Sequence, residues 1–226
     1  MKQAPPNYSN QRVGIFVDVQ NLYHSAKNLH HARVNYAELM KHLVGDRQLI
    51  RALAYVIKSE GIEPPRSGGA SRQGSAMSAA AAQHERDAAA QQNGVGQGSS
   101  EAGFFEALEK AGLELRMKDL QIFAGGMKKA DWDVGMAVDA IRMSPFLDAV
   151  ILVTGDGDFL PLVDYLKWGA GRLVEVAAFR RSASAKIQEA ADKFINIEDV
   201  PRAIMKSGRM HGHGSMKQTG TTKQTN

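Results

Sequence analysis

Strand-like segments that alternate with helix-like segments are the feature that most constrains the fold of this chain. Residues 13–17 and 149–153 are short apolar runs, and further strands are predicted at residues 49–58, 113–123 and 173–179. A short apolar run is typical of a strand that is covered on both faces. Alternating strands and helices predict right-handed crossovers and a sheet with helices on both sides. We therefore expect an α/β fold with three layers, α/β/α, around a mainly parallel five-stranded sheet.

The helices are predicted from capping residues and from apolar side chains at helical spacing. Asn35 is a candidate N-cap with Glu38 three residues later, and its helix ends before Gly45. Helices are also expected from about residue 21, over residues 104–111 and over residues 158–168. The apolar face of one further helix consists of Val134, Ala137, Val138 and Ile141. The apolar residues of a last helix, from about residue 184, are Ile187, Ala190, Ala191 and Phe194.

Two segments of biased composition divide the chain. In residues 64–103, 28 of 40 residues are Ala, Gly, Ser or Gln. This segment has too little apolar surface to offset the entropy of ordering, which predicts an insertion that loops out of the domain. Residues 201–226 carry five basic residues and no acidic one, so residues 1–200 have a net charge of −1. With a basic, flexible tail and a flexible segment at residues 1–11, we expect one domain over residues 12–200.

Composition and hydropathy exclude several classes of protein. The sequence has no cysteine, which excludes disulfides and thiolate chemistry and is compatible with a reducing cytosol. No apolar run approaches the roughly 18 residues of a membrane helix. The polar N-terminus lacks the apolar core of a signal peptide. We therefore expect a cytoplasmic protein that does not enter a membrane.

Acidic residues follow the two apolar runs. Asp18 comes directly after the first run, and Asp156 and Asp158 come shortly after the second, with Gly155 and Gly157 allowing the backbone to turn sharply. In open parallel sheets, ligands bind beyond the carboxyl ends of the strands, where the strand order reverses. Carboxylates gathered there raise one another's pKa unless a cation compensates their charge. Because Mg²⁺ prefers oxygen ligands, the pattern predicts a divalent-cation site at this edge.

A second acidic segment begins a helix. Asp131 is a candidate N-cap, and Asp133 falls in the first turn as a fourth candidate cation ligand. Asp139 lies six residues after Asp133, about 9 Å along the helix axis. We therefore expect Asp139 to support the site or the fold rather than to share the cation.

Simpler roles remain open for several of these residues. Asp18, Asp131 and Asp158 are each also candidate helix caps. Asn21 either caps a helix or contacts a phosphate or a metal-bound water, and Lys129 either neutralises a substrate phosphate or is a solvated loop residue. The histidines without metal-ligand spacing, which are expected at the surface, are His24, His30 and His31.

Three blocks of the sequence carry a resemblance to a known family. They are residues 16–22 (FVDVQNL), residues 129–139 (KADWDVGMAVD) and residues 154–162 (TGDGDFLPL). These blocks resemble the opening motif, the central acidic helix and the fourth-strand motif of the NYN domains, the LabA-like branch of the PIN-like nuclease superfamily. The blocks stand in family order, Gly169 also fits, and Ala130 stands where the family often has glycine.

The resemblance implies a PIN-like fold, one or two Mg²⁺ or Mn²⁺ ions and hydrolysis of phosphodiester bonds, typically in RNA. The acids that it implies for metal binding and catalysis are Asp18, Asp133, Asp156 and Asp158. It places Asn21 on the substrate side, and Thr154 where it orients a carboxylate or a metal-bound water. Lys129 is a candidate phosphate contact only because it stands beside the acidic cluster. Asp131 and Asp139 are expected to support them.

Two functions are consistent with these expectations, and RNA is the partner in both. The first is a metal-dependent endoribonuclease in which the cation activates water for in-line attack on phosphorus. The second is a PIN-like module that binds RNA in a regulatory role without turnover, in which the basic tail, Lys128 and Lys129 supply the phosphate contacts that the near-neutral domain lacks. A homo-oligomer is compatible with either. A dehalogenase-type phosphohydrolase is disfavoured because Gln20 stands where its second acid is required, and a dinucleotide enzyme because the Gly-x-Gly-x-x-Gly turn is missing.

Overall fold

The computed structural model describes residues 9–58, 97–119, 121–122, 128–129 and 132–206. Its strands are β1 (Arg12–Asp18), β2 (Ala32–Val34), β3 (Gln48–Lys58), β4 (Glu114–Asp119), β5 (Gln121–Ile122), β6 (Lys128–Lys129), β7 (Ala149–Val153), β8 (Leu173–Ala178), β9 (Lys193–Asn196) and β10 (Ile204–Lys206). Its α-helices are α1 (Val19–His30), α2 (Tyr36–Val44), α3 (Gln97–Lys110), α4 (Asp133–Met143), α5 (Leu160–Asp164) and α6 (Ala185–Ala190). A π-helical turn, Tyr165–Gly169, extends α5, and short 3-10 turns lie at Ser144–Phe146, Gly157–Phe159 and Ile197–Asp199. None of the helices in these ranges is long and apolar enough to span a bilayer.

The main sheet has six strands in the order β4-β3-β1-β7-β8-β9, and every neighbouring pair is parallel. The chain runs from β1 to β3 and β4 on one side and to β7, β8 and β9 on the other. The strand order therefore reverses at β1. The predicted α/β fold is confirmed, with β9 as a sixth strand at one edge.

Both faces of the central strand are covered by helices. Ile15 of β1 packs in one core with Leu22 of α1. Phe16, the next residue, packs in the opposite core with Met136 of α4. Successive side chains of a strand point to opposite faces, so a strand covered on both sides must be apolar throughout. This explains the apolar run at residues 13–17.

Helix α2 begins and ends where its caps predict. Asn35 Oδ1 accepts a hydrogen bond from the Glu38 backbone N–H at 3.3 Å. This bond satisfies one of the N–H groups that have no partner inside the helix. At the other end Gly45 has a φ of 55°, in the left-handed region that glycine adopts without a steric penalty.

The end of the chain differs from the prediction of one long last helix. Helix α6 ends at Ala190, and Phe194 lies on the strand β9 instead. Asp192 redirects the chain, because its backbone N–H donates to the Val174 carbonyl at 2.8 Å and its Oδ2 accepts from the Val174 N–H at 2.8 Å. These bonds dock the chain beside β8, whose open edge then takes one more parallel strand.

Most of the apolar face predicted for α4 is turned away from the core. Val134, Val138 and Ile141 are exposed, and of the four predicted residues only Ala137 packs against the core. Met136 and Ala140 are buried against the sheet instead. A polar contact helps to set the rotation of the helix, since the Tyr55 hydroxyl donates to Asp139 Oδ2 at 3.0 Å. The apolar periodicity was therefore wrong about which side of α4 is buried.

The described structure extends beyond two predicted boundaries. Helix α3 begins at Gln97, before the start predicted at residue 104. After residue 200, β10 pairs with β2 in an antiparallel manner and Ala203 is fully buried, so the described structure continues to Lys206. Residues 1–8, most of the predicted insertion and the tail from residue 207 lie outside the described residues.

A charged pair closes the amino-terminal edge of β1 and β7. The Asp148 carboxylate accepts hydrogen bonds from the Arg12 backbone N–H at 2.8 Å and from its guanidinium Nη2 at 2.7 Å. The hydrogen bonds and the charge of Arg12 lower the pKa of Asp148 to about 2. A carboxyl group whose pKa falls on folding stabilises the fold above its unfolded pKa, and this contribution is lost as the pH falls through the folded pKa.

We expect Asp148→Asn to lower the urea midpoint of unfolding near neutral pH, because the amide offers Arg12 no charge. The difference from the wild type should shrink between about pH 4 and about pH 2, where the wild-type carboxyl takes up its proton. Asp46→Asn, at an exposed carboxyl, is the control and should leave the midpoint unchanged throughout. A penalty for Asp148→Asn that does not vary over this range would contradict the assignment.

Candidate active site

The carboxyl ends of β1 and β7 bring together two of the three sequence blocks. The strands are in register with Val17 opposite Val153, so Asp18 and Thr154 leave the sheet side by side. Thr154 is fully buried and Asp18 is half-buried. This is also the point at which the strand order reverses, the usual ligand position in such sheets.

A cavity of about 270 Å³ opens at this edge. Three of its lining residues are acids from separate parts of the chain: Asp18, Asp133 and Asp156. The other described residues that line it are Gln20, Asn21, His24, Tyr55 and Trp132. The volume is close to the lower limit for small-molecule sites, roughly 300 Å³.

The buried Thr154 hydroxyl connects two of the acids. It donates to Asp18 Oδ2 at 3.2 Å and accepts from the Asp156 backbone N–H at 3.2 Å. Asp18 Oδ1 accepts from the Asn21 backbone N–H at 3.0 Å, so Asp18 is also the N-cap of α1. Each oxygen of the Asp18 carboxylate thus accepts a hydrogen bond, Oδ1 from the backbone of α1 and Oδ2 from the residue that follows β7.

Asn21 joins α1 to the loop after β7. Its side-chain Oδ1 accepts a hydrogen bond from the Gly155 backbone N–H at 3.0 Å. The NH₂ group is therefore the part of this side chain that can donate a hydrogen bond to a ligand. Gly155 also lies tightly against the loop after β8, because a Cβ there would stand 2.9 Å from Ala183 Cα. The Ser184 N–H donates to the Gly155 carbonyl at 2.9 Å. The glycine is therefore required for the close approach of another loop.

Burial raises the pKa of the Asp18 carboxyl above its usual range. The charge of Asp156 raises this pKa further, and the hydrogen bonds from Asn21 and Thr154 oppose the shift. Within the described part of the chain, neither Asp18 nor Asp156 forms an ion pair with a lysine or an arginine. The folded protein thus concentrates negative charge in the cavity at a cost in free energy.

Asp158 is exposed and is not among the described residues that line the cavity. Its backbone N–H donates to Asp156 Oδ1 at 3.0 Å, which makes Asp156 the cap of the turn Gly157–Phe159. The capping role that the sequence offered for Asp158 therefore belongs to Asp156.

The acidic helix contributes Asp133 from its first turn. Helix α4 begins at Asp133, and its N-cap position is occupied by Trp132, which forms no side-chain capping bond. Asp131, the predicted cap, lies outside the described residues. The role of Asp131 therefore stays a prediction.

Asp139 is not among the described residues that line the cavity. Asp139 accepts from the Tyr55 hydroxyl and lies 3.4 Å from Arg116 Nε, so it supports a side chain of the cavity wall. Lys129 pairs with Gln121 between the short strands β5 and β6, and its side chain is outside the described part.

Four lining residues were not predicted as site residues: Gln20, His24, Tyr55 and Trp132. His24 is exposed, as expected, but it is also part of the cavity wall, four residues from Gln20 on the same side of α1. Tyr55 lies opposite Asp18 in the β1–β3 register, which strand pairing decides and a single sequence does not reveal. The sequence could have indicated Trp132 as a site residue, because it directly precedes the predicted site residue Asp133.

Comparison with known proteins identifies the family. The family model of the NYN domain matches residues 12–198, from the first strand of the sheet to the last. The chain belongs to the NYN domain family. All described cavity residues lie within the match. NYN domains are part of the PIN-like nuclease superfamily, so the resemblance carried by the three sequence blocks is confirmed.

Two relatives agree with this assignment. The low amplitude and bright protein LabA of Synechococcus elongatus is 26% identical over 113 residues, which are 47% of this chain and 60% of LabA. The chain thus spans less than two thirds of the length of this curated relative. The crystal structure of a protein of unknown function from Vibrio parahaemolyticus has a TM-score of 0.64 at 26% identity, over 86% of this chain and 98% of that one.

We expect Asp18→Asn to stabilise the metal-free NYN domain near neutral pH. Because folding raises the pKa of Asp18, stability is lost as the pH rises from the unfolded pKa, about 4, through the folded one. The amide keeps an acceptor for the Asn21 N–H but carries no charge. In EDTA, the urea midpoint of the variant should exceed that of the wild type near neutral pH, and the two should converge below about pH 4.

The matched control for this measurement is Asp164→Asn, at an exposed carboxyl on α5. Its midpoint should follow that of the wild type at every pH. A midpoint of Asp18→Asn below the wild type near neutral pH would refute the cost assigned to the buried charge.

Proposed function

We propose that this NYN domain is a divalent-metal-dependent nuclease, an endoribonuclease that hydrolyses phosphodiester bonds in RNA. The observation that carries the proposal is the cavity lined by Asp18, Asp133 and Asp156, three acids from distant parts of the chain. They lie at the sheet edge where α/β folds bind ligands. Asp158 completes the proposed set of acids from the adjoining turn.

The donor set of the cavity fits Mg²⁺ or Mn²⁺. Among the described residues, no group of three His, Cys, Asp or Glu side chains is placed to hold a metal ion by itself. Mg²⁺ does not need such a group, since it keeps several waters and binds through one or two carboxylates and the substrate phosphates. The carboxylates of Asp18 and Asp156 are hard oxygen donors, and the charge that raises the pKa of Asp18 favours a cation beside it. When bound, a divalent cation lowers the pKa of water and neutralises the charge that develops on phosphate.

In the proposal, the chain's own groups position this chemistry. Asp18 and Asp156, which are tied together through Thr154, would hold the cation. Asp133 faces the same cavity from α4, and the NH₂ group of Asn21 contacts a substrate phosphate. Lys129 is assigned to a further phosphate, with Asp131 and Asp139 as supporting residues. Water is the nucleophile, so the proposed mechanism requires no covalent bond between enzyme and substrate.

A second candidate function is RNA binding without turnover. It is favoured by the five basic residues after residue 200, which attract phosphate but supply no catalytic group. Because residues 1–200 have a net charge of −1, these basic residues would provide most of the general attraction for RNA. Cleavage assays with and without metal separate the two candidates.

We expect the full chain to cleave labelled single-stranded RNA in Mg²⁺ or Mn²⁺ and to lose this activity in EDTA. Asp18→Asn should lower the cleavage rate by at least ~100-fold, since loss of a metal ligand costs more than loss of an outer partner. The circular dichroism spectrum should remain that of the wild type, and Asp164→Asn should cleave normally. Equal rates for Asp18→Asn and the wild type would contradict the site, and binding without cleavage in either metal would favour the second candidate.

Thr154 provides a separate test of how the acids are held. We expect Thr154→Val to lower cleavage ~10- to 100-fold and to raise the Mn²⁺ concentration needed for half-maximal rate, because Asp18 loses its hydrogen bond. Thr154→Ser keeps the hydroxyl and should restore both values. A stability loss of about 1–3 kcal/mol is also expected for Thr154→Val, from the unpaired Asp156 N–H. Lower stability with an unchanged Mn²⁺ requirement would show that Thr154 is only structural.

A further inference from the structure

The cavity has an aromatic wall that phosphodiester hydrolysis does not require. Trp132 and Tyr55 line it beside the carboxylates, with ring centroids 5.5 Å apart and an interplanar angle of 59°. Tyr55 is almost fully buried, and its hydroxyl is bonded to Asp139. Trp132 is only half-buried, so part of the indole faces the cavity. An indole supplies neither a metal ligand nor an acid or base for the proposed reaction.

The indole of Trp132 is held in one orientation. Its Nε1 donates to the Val56 carbonyl at 2.9 Å. The six-membered ring lies against Gly135, where a Cβ would stand 2.6 Å from the nearest ring carbon. Lys118 Nζ lies 5.7 Å from the ring centroid. A rigid aromatic surface binds a flat ligand at a low cost in side-chain entropy.

The start of α4 does not explain this tryptophan. Trp132 occupies the N-cap position and forms no capping bond, whereas Ser, Thr, Asp or Asn at this position would satisfy a free N–H. Its position matters for the cavity instead, because the adjacent Asp133 lines the same cavity.

We propose that Trp132 is the stacking surface for an unpaired nucleobase next to the scissile phosphate of bound RNA. This inference rests on the proposed function and names the residue that positions the substrate base. Aromatic side chains stack on any base through its π-face, so the contact tolerates different sequences. A base in a duplex is already stacked and paired and is not available to the indole, which makes the site selective for single strands. The ammonium group of Lys118 adds positive charge beside the ring.

The protein offers a direct optical test. It contains two tryptophans, and Trp168 is 82% exposed and lies outside the described cavity lining. Trp168→Phe therefore leaves Trp132 as the single source of indole fluorescence without changing the cavity. In EDTA, a single-stranded oligoribonucleotide should quench this fluorescence to saturation. An abasic ribose-phosphate oligomer of the same length and a duplex RNA should not.

Variants of the wall test the same contact by affinity. Trp132→Leu should weaken binding of the single-stranded oligoribonucleotide by about 5- to 150-fold, and Trp132→Phe should retain most of the affinity. Gly135→Ala keeps the indole but displaces it, so its effect should resemble that of Trp132→Leu. Affinity for the abasic oligomer should be the same in all of these proteins. Urea unfolding of each variant checks that the fold is retained.

The outcomes separate this inference from the proposed nuclease activity. Cleavage of RNA without quenching of Trp132 overturns the stacking surface and leaves the nuclease. Base-dependent quenching without cleavage in Mg²⁺ or Mn²⁺ supports the stacking surface and overturns the nuclease. Equal quenching by the abasic oligomer, or no binding of single-stranded RNA, overturns the inference.

Discussion

The parallel pairing of β1 with β7 is the interaction on which the site depends. It brings Asp18 beside Thr154, two residues that are 136 positions apart in the chain. Through the Thr154 hydroxyl, the end of one strand is bonded to both the acid of its neighbour and the loop that carries Asp156. Parallel neighbours need long crossovers and helices on both faces. The hydrogen bond between Thr154 and Asp18 therefore depends on the three-layer architecture.

The acids at the two ends of the parallel strands differ in how their charge is compensated. At the amino-terminal edge Asp148 is paired with Arg12, and the buried Glu175 is bonded to Arg47 at 2.8 Å. Buried or half-buried acids are ordinarily paired in this way, because an unpaired charge is costly inside a protein. Asp18 and Asp156 form no such ion pair within the described residues, and the pKa of Asp18 is raised as a result of burial. The fold tolerates this cost at the edge where a cation and a phosphate are proposed to bind.

The orientation of helix α4 agrees with its polar contacts and not with the apolar face that the sequence predicts. Its start presents Trp132 and Asp133 to the cavity, and Asp139 accepts the hydroxyl of a second wall residue, Tyr55. In the orientation that forms these contacts, Val134 is 74% exposed and the smaller Ala140 is buried. Apolar residues on three sides of a helix leave its orientation undetermined until such contacts are known.

Local sequence patterns were enough to predict the alternation of strands and helices, the caps of α2, the acids at the carboxyl ends of β1 and β7, and the family. These are local properties, which depend on periodicity, capping and motif order over a few neighbouring residues. The tertiary structure decided that β9 adds a sixth strand, that Asp158 stands outside the described cavity lining, and that Tyr55 and Trp132 form an aromatic wall. Each of these follows from pairing between segments distant in the chain: β9 from the docking of Asp192 on Val174, and Tyr55 from its register with Asp18. Local sequence patterns do not reveal which distant segments pair, because strand order and register are set by packing over the whole domain.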